Sequence, residues 1–196
     1  FPRGHRKRKH KYGRKVYLAS ITDRISIHDR PEIINQNIEF GHFEGDSVEG
    51  VGHKSGVHTE VERVSRKYFA KLVDSINSKE AIKAQLKIFG NLPVKSVTLD
   101  NGHENRLHFE LNKMGINTYF ADPYSSWQRG SNEYHNGLLR RYFPKKTDFR
   151  KVTQQELDDC VWEINNRPRK CLGYFTPNEV FFAKLNNQRV AIQSGM

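Results

Sequence analysis

Three acidic residues in this 196-residue chain stand where carboxylates could do chemistry. Asp46 falls inside an alternating run from Phe40 to Gly50, where an ionised side chain is costly unless something compensates it. Asp100 ends a second alternating run, Val94 to Leu99, at an Asp-Asn-Gly turn, 54 positions after Asp46. Glu133 follows 33 positions later on a stretch of helical period. At 100° per residue, Arg129, Asn136, Gly137 and Arg140 fall within about 60° of Glu133, while Trp127, Tyr134, Leu138 and Tyr142 form a packing arc. If the two strands lie side by side in a mixed sheet and the helix crosses them, the three acids meet. Grouped carboxylates repel unless a hard cation sits among them, and an all-oxygen site suits Mg²⁺ or Mn²⁺. The neighbouring arginines then suit a phosphodiester.

Each acid also has an ordinary explanation. Asp46 could pair with Arg63, Asp100 suits any turn, and Glu133 could be a surface helix acid. Glu44 shares the strand parity of Asp46 and is read, with Asn101, as support for the site; Glu104 could hydrogen-bond around Asp100. Asp122, before Pro123, reads as a turn residue, and His42 as a packed or substrate-proximal histidine. The remaining histidines are badly phased for zinc, and no nucleophile elbow, P-loop or dinucleotide fingerprint is present.

The elements that must position these residues follow from periodicity. Phe40 to Gly50 and Val57 to Val73, the latter turning near Ser65-Arg66, predict three antiparallel strands. A helix capped by Ser78 and closed by Gly90, with Ile82, Leu86 and Phe89 on one face, leads to the strand before Asp100. A short helix through Leu107, Leu111 and Met114 stops at Gly115, and Ile116 to Ala121 makes a fifth strand. Thr153 and Glu156 form a capping box for a further helix that runs until Pro168. The expected class is α/β, with a mixed five-stranded sheet flanked by helices. Residues 1–37 read as basic arm and linker, 38–185 as the core and 186–196 as a tail.

Of the net charge of +11, residues 1–15 carry +8 with no acid, leaving +3 for the rest. Such a run, with Arg6, Lys7, Arg8 and Lys9 at its centre, pairs with nucleic-acid phosphates by releasing condensed counterions. An apolar fraction of 36% supports a packed core rather than disorder. Two cysteines without a C-x-x-C pair, and no apolar run of membrane length, point to a reducing cytoplasm and no membrane. The sequence starts at Phe1 without an initiator Met, as a processed piece or fragment would.

Gly41-His42-Phe43-Glu44-Gly45-Asp46, Thr98-Leu99-Asp100-Asn101-Gly102, Tyr119 to Tyr124, Trp127 to Glu133, and Asn136-Gly137-Leu138-Leu139-Arg140 occur in the order and spacing of one family. With Asn166-Arg167-Pro168-Arg169 and Thr176-Pro177-Asn178-Glu179 they resemble the catalytic core of bacterial transposases of the insertion-sequence-thirty family, over about residues 25–182. The resemblance implies a ribonuclease-H-like fold and an Asp-Asp-Glu triad at Asp46, Asp100 and Glu133. It also implies two Mg²⁺ ions, cleavage and strand transfer of DNA at the ends of an insertion sequence, and a homo-oligomer that pairs those ends near the bacterial nucleoid. Arg129, Asn136 and Arg140 are expected to meet DNA. Phe43, His58 and Ser126 depart from the family pattern, and the upstream helix-turn-helix region of the family is not in this sequence. Two rivals share the motifs: a purely hydrolytic nuclease and a catalytically silent DNA-binding relic.

Overall fold

A computed structural model describes residues 21–194. Its strands are β1 (Ile25–Ser26), β2 (His42–Glu49), β3 (Gly56–Glu62), β4 (Tyr68–Val73), β5 (Ser96–Leu99) and β6 (Asn117–Phe120). Its α-helices are α1 (Glu32–Asn35), α2 (Ser78–Phe89), α3 (Phe109–Lys113), α4 (Gly130–Tyr142), α5 (Gln154–Asn165) and α6 (Pro177–Ser194). The strands form one sheet in the order β1-β6-β5-β2-β3-β4. β2, β3 and β4 are antiparallel neighbours, and β2, β5, β6 and β1 run parallel.

Alternation along β2 sends successive side chains to opposite faces, and each face buries its own cluster. Phe43 packs with Phe89, Val97, Leu99, Leu111 and Phe120 under α2 and α3. Val48 packs with Val57, Val61, Leu138, Leu139, Leu157 and Ile164 under α4 and α5. The sheet is thus covered on both faces, as parallel strands require. α6 adds Phe181 and Leu185 against Phe40.

The α/β class and the five expected strands are present, with three corrections. The sheet has a sixth strand among the described residues, because Ile25 and Ser26 pair with Tyr119 and Phe120. The expected linker therefore carries part of the fold: Ile27 and Ile34 are buried, and Arg30 Nη1 donates to Thr98 Oγ1 at 2.8 Å. At the other end, α6 runs past 185 to Ser194, so the expected tail is helical there. The cap of α2 is Asn77 rather than Ser78, since Asn77 Oδ1 accepts from the backbone N–H of Lys79 and Glu80. Thr153 and Glu156 do form the reciprocal capping box at α5.

Candidate active site

The parallel pairing of β2 with β5 aligns Glu44 with Thr98, which carries the chain of each strand on towards its aspartate. Asp46 lies two residues further along β2, and Asp100 directly follows β5. The α4 end supplies what lies between them. Arg129 is buried, and its Nη1 donates to the Gly45 carbonyl at 2.9 Å while standing 3.5 Å from Asp46 Oδ1. Its Nη2 reaches Asp100 Oδ2 at 3.3 Å. One guanidinium thus bridges both carboxylates.

The aspartates are held by further neutral donors. Asp46 Oδ1 accepts from the Ser47 N–H at 2.9 Å, and Oδ2 accepts from Asn136 Nδ2 at 2.9 Å. The Asn136 amide is oriented in turn by Tyr68, whose buried hydroxyl donates to Asn136 Oδ1 at 2.9 Å. Burial pushes the Tyr68 phenol well above its ordinary value, so it stays a donor. Asp100 Oδ1 accepts from the Gly102 N–H at 2.9 Å and from Asn105 Nδ2 at 2.7 Å, which leaves Oδ2 turned to Arg129.

Charge follows the same geometry. Burial raises the Asp46 carboxyl above its ordinary value; Arg129 opposes this and the Asp100 charge adds to it. Burial alone would lower the Arg129 value, but Asp46 and then Asp100 more than offset it, so the guanidinium is held more firmly charged. Glu104 is raised by burial, then by the charges of Asp100 and Asp46, which makes it a third carboxyl that senses the pair.

Glu44 does not join this group. It is buried and ion-paired to Arg63, and its Oε2 accepts from the Asn132 backbone N–H at 3.0 Å. Asn132 Nδ2 donates to the Glu44 carbonyl at 2.7 Å, so Glu44 and Asn132 pin the first turn of α4 onto β2. Arg63 therefore serves Glu44 and not Asp46. Asn101 ties the end of β5 to β6 by donating to the Ala121 carbonyl at 2.6 Å, and Arg24 donates to its Oδ1. His42 is a packed histidine, its ring between Ser96 Oγ and Glu39 Oε2 at 2.7 Å each.

The expected DNA-contact residues fare differently. Arg129 and Asn136 turn inward and are committed to the aspartates, so neither presents its polar group to an external phosphate. Arg140 spans the Glu49 carbonyl at 2.7 Å and the Pro144 carbonyl at 3.3 Å. Arg6, Lys7, Arg8 and Lys9 lie outside the described residues. Of the expected packing arc on α4, Leu138 is buried, but Trp127 and Tyr134 are exposed.

Glu133 is exposed on α4, one turn after Arg129 and one turn before Asn136. Among the described residues no three His, Cys, Asp or Glu side chains are grouped to hold a metal ion, so the structure brings together Asp46 and Asp100 and not Glu133. The groups that do converge are two carboxylates, oxygen donors of the kind a hard cation takes, with one firmly charged guanidinium already between them as counter-ion. The sequence reading missed Asn105 and Asn132. A buried asparagine leaves no periodic signal, although Asn105 five residues past Asp100 is the spacing of a turn that folds back on its own acid.

No family model matches the chain. Solved structures do. The catalytic core domain of BIV integrase superposes with a TM-score of 0.60 at 17% identity, covering 76% of this chain and 98% of that one. A chain of the simian T-cell lymphotropic virus intasome gives 0.57 at 23% identity, covering 69% of this chain and 52% of that one. The architecture is the ribonuclease-H-like core of retroviral integrases.

The curated relatives narrow this. A transposase for insertion sequence element IS4351 of Bacteroides fragilis is 39% identical over 180 residues, 89% of this chain and 54% of its own length. The transposase of IS1086 from Cupriavidus metallidurans is 41% identical over 176 residues, 86% of this chain and 51% of its own length. Transposase InsI of IS30A from Escherichia coli is 41% identical over 165 residues, 82% of this chain and 43% of its own length. The chain is a homologue of the insertion-sequence transposases, the insertion-sequence-thirty family among them, and spans about half the length of these relatives. No described helix is long and apolar enough to cross a membrane.

Proposed function

We propose that this chain is the catalytic core of a DNA transposase that cuts a phosphodiester at an element end and joins the resulting 3′-hydroxyl to target DNA. The observation that carries the reading is the bridging of Asp46 and Asp100 by one guanidinium at the adjoining ends of two parallel strands. Asp46 and Asp100 supply the converging carboxylates; Glu133, exposed one turn from both Arg129 and Asn136, would have to turn in towards them to complete the set. Two Mg²⁺ ions, or Mn²⁺ in their place, would supply Lewis-acid stabilisation and an activated oxygen nucleophile when bound. The protein's part is positional. Asn136 and the Ser47 N–H orient Asp46, Asn105 and the Gly102 N–H orient Asp100, and Arg129 balances their charge. No side chain need form a covalent intermediate, because exchange of one phosphodiester for another conserves the bond energy.

The substrate is DNA, and pairing two element ends calls for more than one protomer. Strand transfer on pre-cleaved, labelled DNA ends tests the reading directly. We expect Mg²⁺-dependent joined product with the parent chain and a loss of at least about a hundredfold, roughly 2.7 kcal/mol of barrier, for Asp100→Asn. Equal rates for the two would remove the triad. Hydrolysis without joining would leave a nuclease, and binding without turnover a relic.

A further inference from the structure

Beside α4, on the side of its first turn, lies a cavity of about 470 Å³, a size ordinary for a small-molecule or single-nucleotide site. Arg66, Arg169 and Lys170 line it, with Ser131, Tyr134 and His135, and no acidic residue contributes to the wall. Among the described residues none of the three cations is ion-paired. Arg66 Nη1 donates to Ser131 Oγ, while Arg169 Nη1 donates to the Tyr134 hydroxyl at 3.0 Å and Nη2 to the Ile164 carbonyl at 2.9 Å. Three positive charges around one concavity without a counter-charge repel each other, and an anion removes that cost.

A further feature says which kind of anion. Tyr134 is 54% exposed at the cavity, with the Arg169 guanidinium 5.7 Å from its ring centroid; an exposed ring beside a guanidinium is a stacking platform for a base. A nucleotide combines the phosphate and the flat ring that the cations and Tyr134 match. The cavity also adjoins the exposed face of α4 that carries Glu133. Gly130 and Tyr134 line both it and a second depression that holds Glu133 and Arg141, and nothing lies within 4 Å of a side chain built at Gly130.

We propose that this cavity binds one nucleotide of a DNA strand, its phosphate among Arg66, Arg169 and Lys170 and its base on Tyr134, with the strand passing Gly130 towards Glu133. This rests on the transposase reading and gives the DNA a defined path on α4. It assigns recognition to residues that the motif around the triad does not contain.

Cys171 provides the test, because it is exposed and lines the cavity while Cys160 is buried. The Asp100→Asn chain is used so that cleavage cannot intervene, without Mg²⁺ and at one stated salt concentration. Maleimide modification of Cys171 is timed with saturating single-stranded hexathymidylate, with an abasic hexamer of the same charge, and with inorganic phosphate. We expect hexathymidylate to slow modification at least tenfold and the other two far less. Lys170→Glu and Tyr134→Leu should each weaken hexathymidylate binding by fivefold or more in fluorescence anisotropy, and Tyr134→Phe should not. Unchanged Cys171 modification with DNA bound elsewhere overturns the cavity and leaves the transposase reading standing. Protection by phosphate or the abasic hexamer equal to that by hexathymidylate overturns the nucleotide assignment in favour of a simple anion. Failure of the parent chain to bind any DNA removes both.

Discussion

At the scale of single residues, the centre is a balance of two negative charges against one positive. Removing Arg129 leaves two partly buried aspartates facing each other, a loss that costs several kcal/mol in dry interiors and less where solvent screens it. With Asp46 and Asp100 side chains 25% and 33% exposed, Arg129→Met should destabilise the metal-free chain by about 1–3 kcal/mol in urea unfolding. Adding Asp46→Asn to that variant should recover part of the loss. A strictly additive double mutant would show that the guanidinium does not neutralise the pair.

His42 provides a separate pH signature. Burial lowers its folded-state value below the ordinary 6.5, against the opposing bond from Glu39. Between 6.5 and that lower value the unfolded chain binds a proton which the folded chain refuses, so stability falls as pH falls through this window. His42→Gln should flatten part of this acid limb of stability measured by urea at pH 5 to 7 (roughly the range around an ordinary histidine); His135, which burial brings down to about 4, adds to the limb in the same direction. An unaltered slope would exclude a His42 contribution.

At the scale of elements, the coupling of α4 to β2 decides where Arg129, Glu133 and Asn136 stand. That coupling is polar. Asn132, fully buried, spans to the Glu44 carbonyl, and Thr59 Oγ1 lies 3.2 Å from Asn132 Oδ1. Asn132→Ala strands buried polar partners and should cost about 1–3 kcal/mol. It should also lower strand transfer more than DNA affinity, because the helix shifts while charge is unchanged. Equal losses in both would mean that the asparagine serves general stability alone. β2 is equally intolerant beside Asp46: a Cβ at Gly45 would meet Glu60 Oε1 at 2.7 Å and Leu99 Cδ2 at 2.9 Å. Gly45→Val should therefore overpack the β2–β5 junction, costing about 1–3 kcal/mol and displacing Asp46 from Asp100. Normal thermal stability with normal activity would refute that.

At the scale of the whole molecule, the segment before β2 is part of the fold. Arg30 is buried, donates to Thr98 on β5 and makes two bonds to Asn35 Oδ1, at 2.9 Å from Nε and 2.6 Å from Nη2. Burial, with the nearby Arg63 charge, brings its value down to about 10, as expected of a cation enclosed by structure rather than hanging from a linker. Deleting residues 1–30 should therefore lower unfolding stability by about 2 kcal/mol or more, through lost burial of Ile27 and an orphaned Thr98. Unchanged urea stability without residues 1–30 would overturn this. Deleting residues 1–15 should lower salt-dependent DNA binding, and equal binding at low salt would overturn the role given to the charge run.

What could be read along the chain was whatever repeats locally. Alternation marked β2 to β6, the Thr153–Glu156 box marked α5, and the charge run marked residues 1–15, because period, capping and net charge depend only on neighbours in sequence. Motif spacing carried the homology to transposases, and it placed Asp46 and Asp100 on strands able to adjoin. Only the tertiary structure decided that Arg129 turns inward to bridge them, that Asn136 holds Asp46, and that Ile25–Ser26 adds a strand. It also brought Arg66, Arg169 and Lys170 around one cavity. These outcomes rest on side-chain direction and contacts between residues far apart in the chain, for which a helical wheel gives the angle but neither the depth nor the partner.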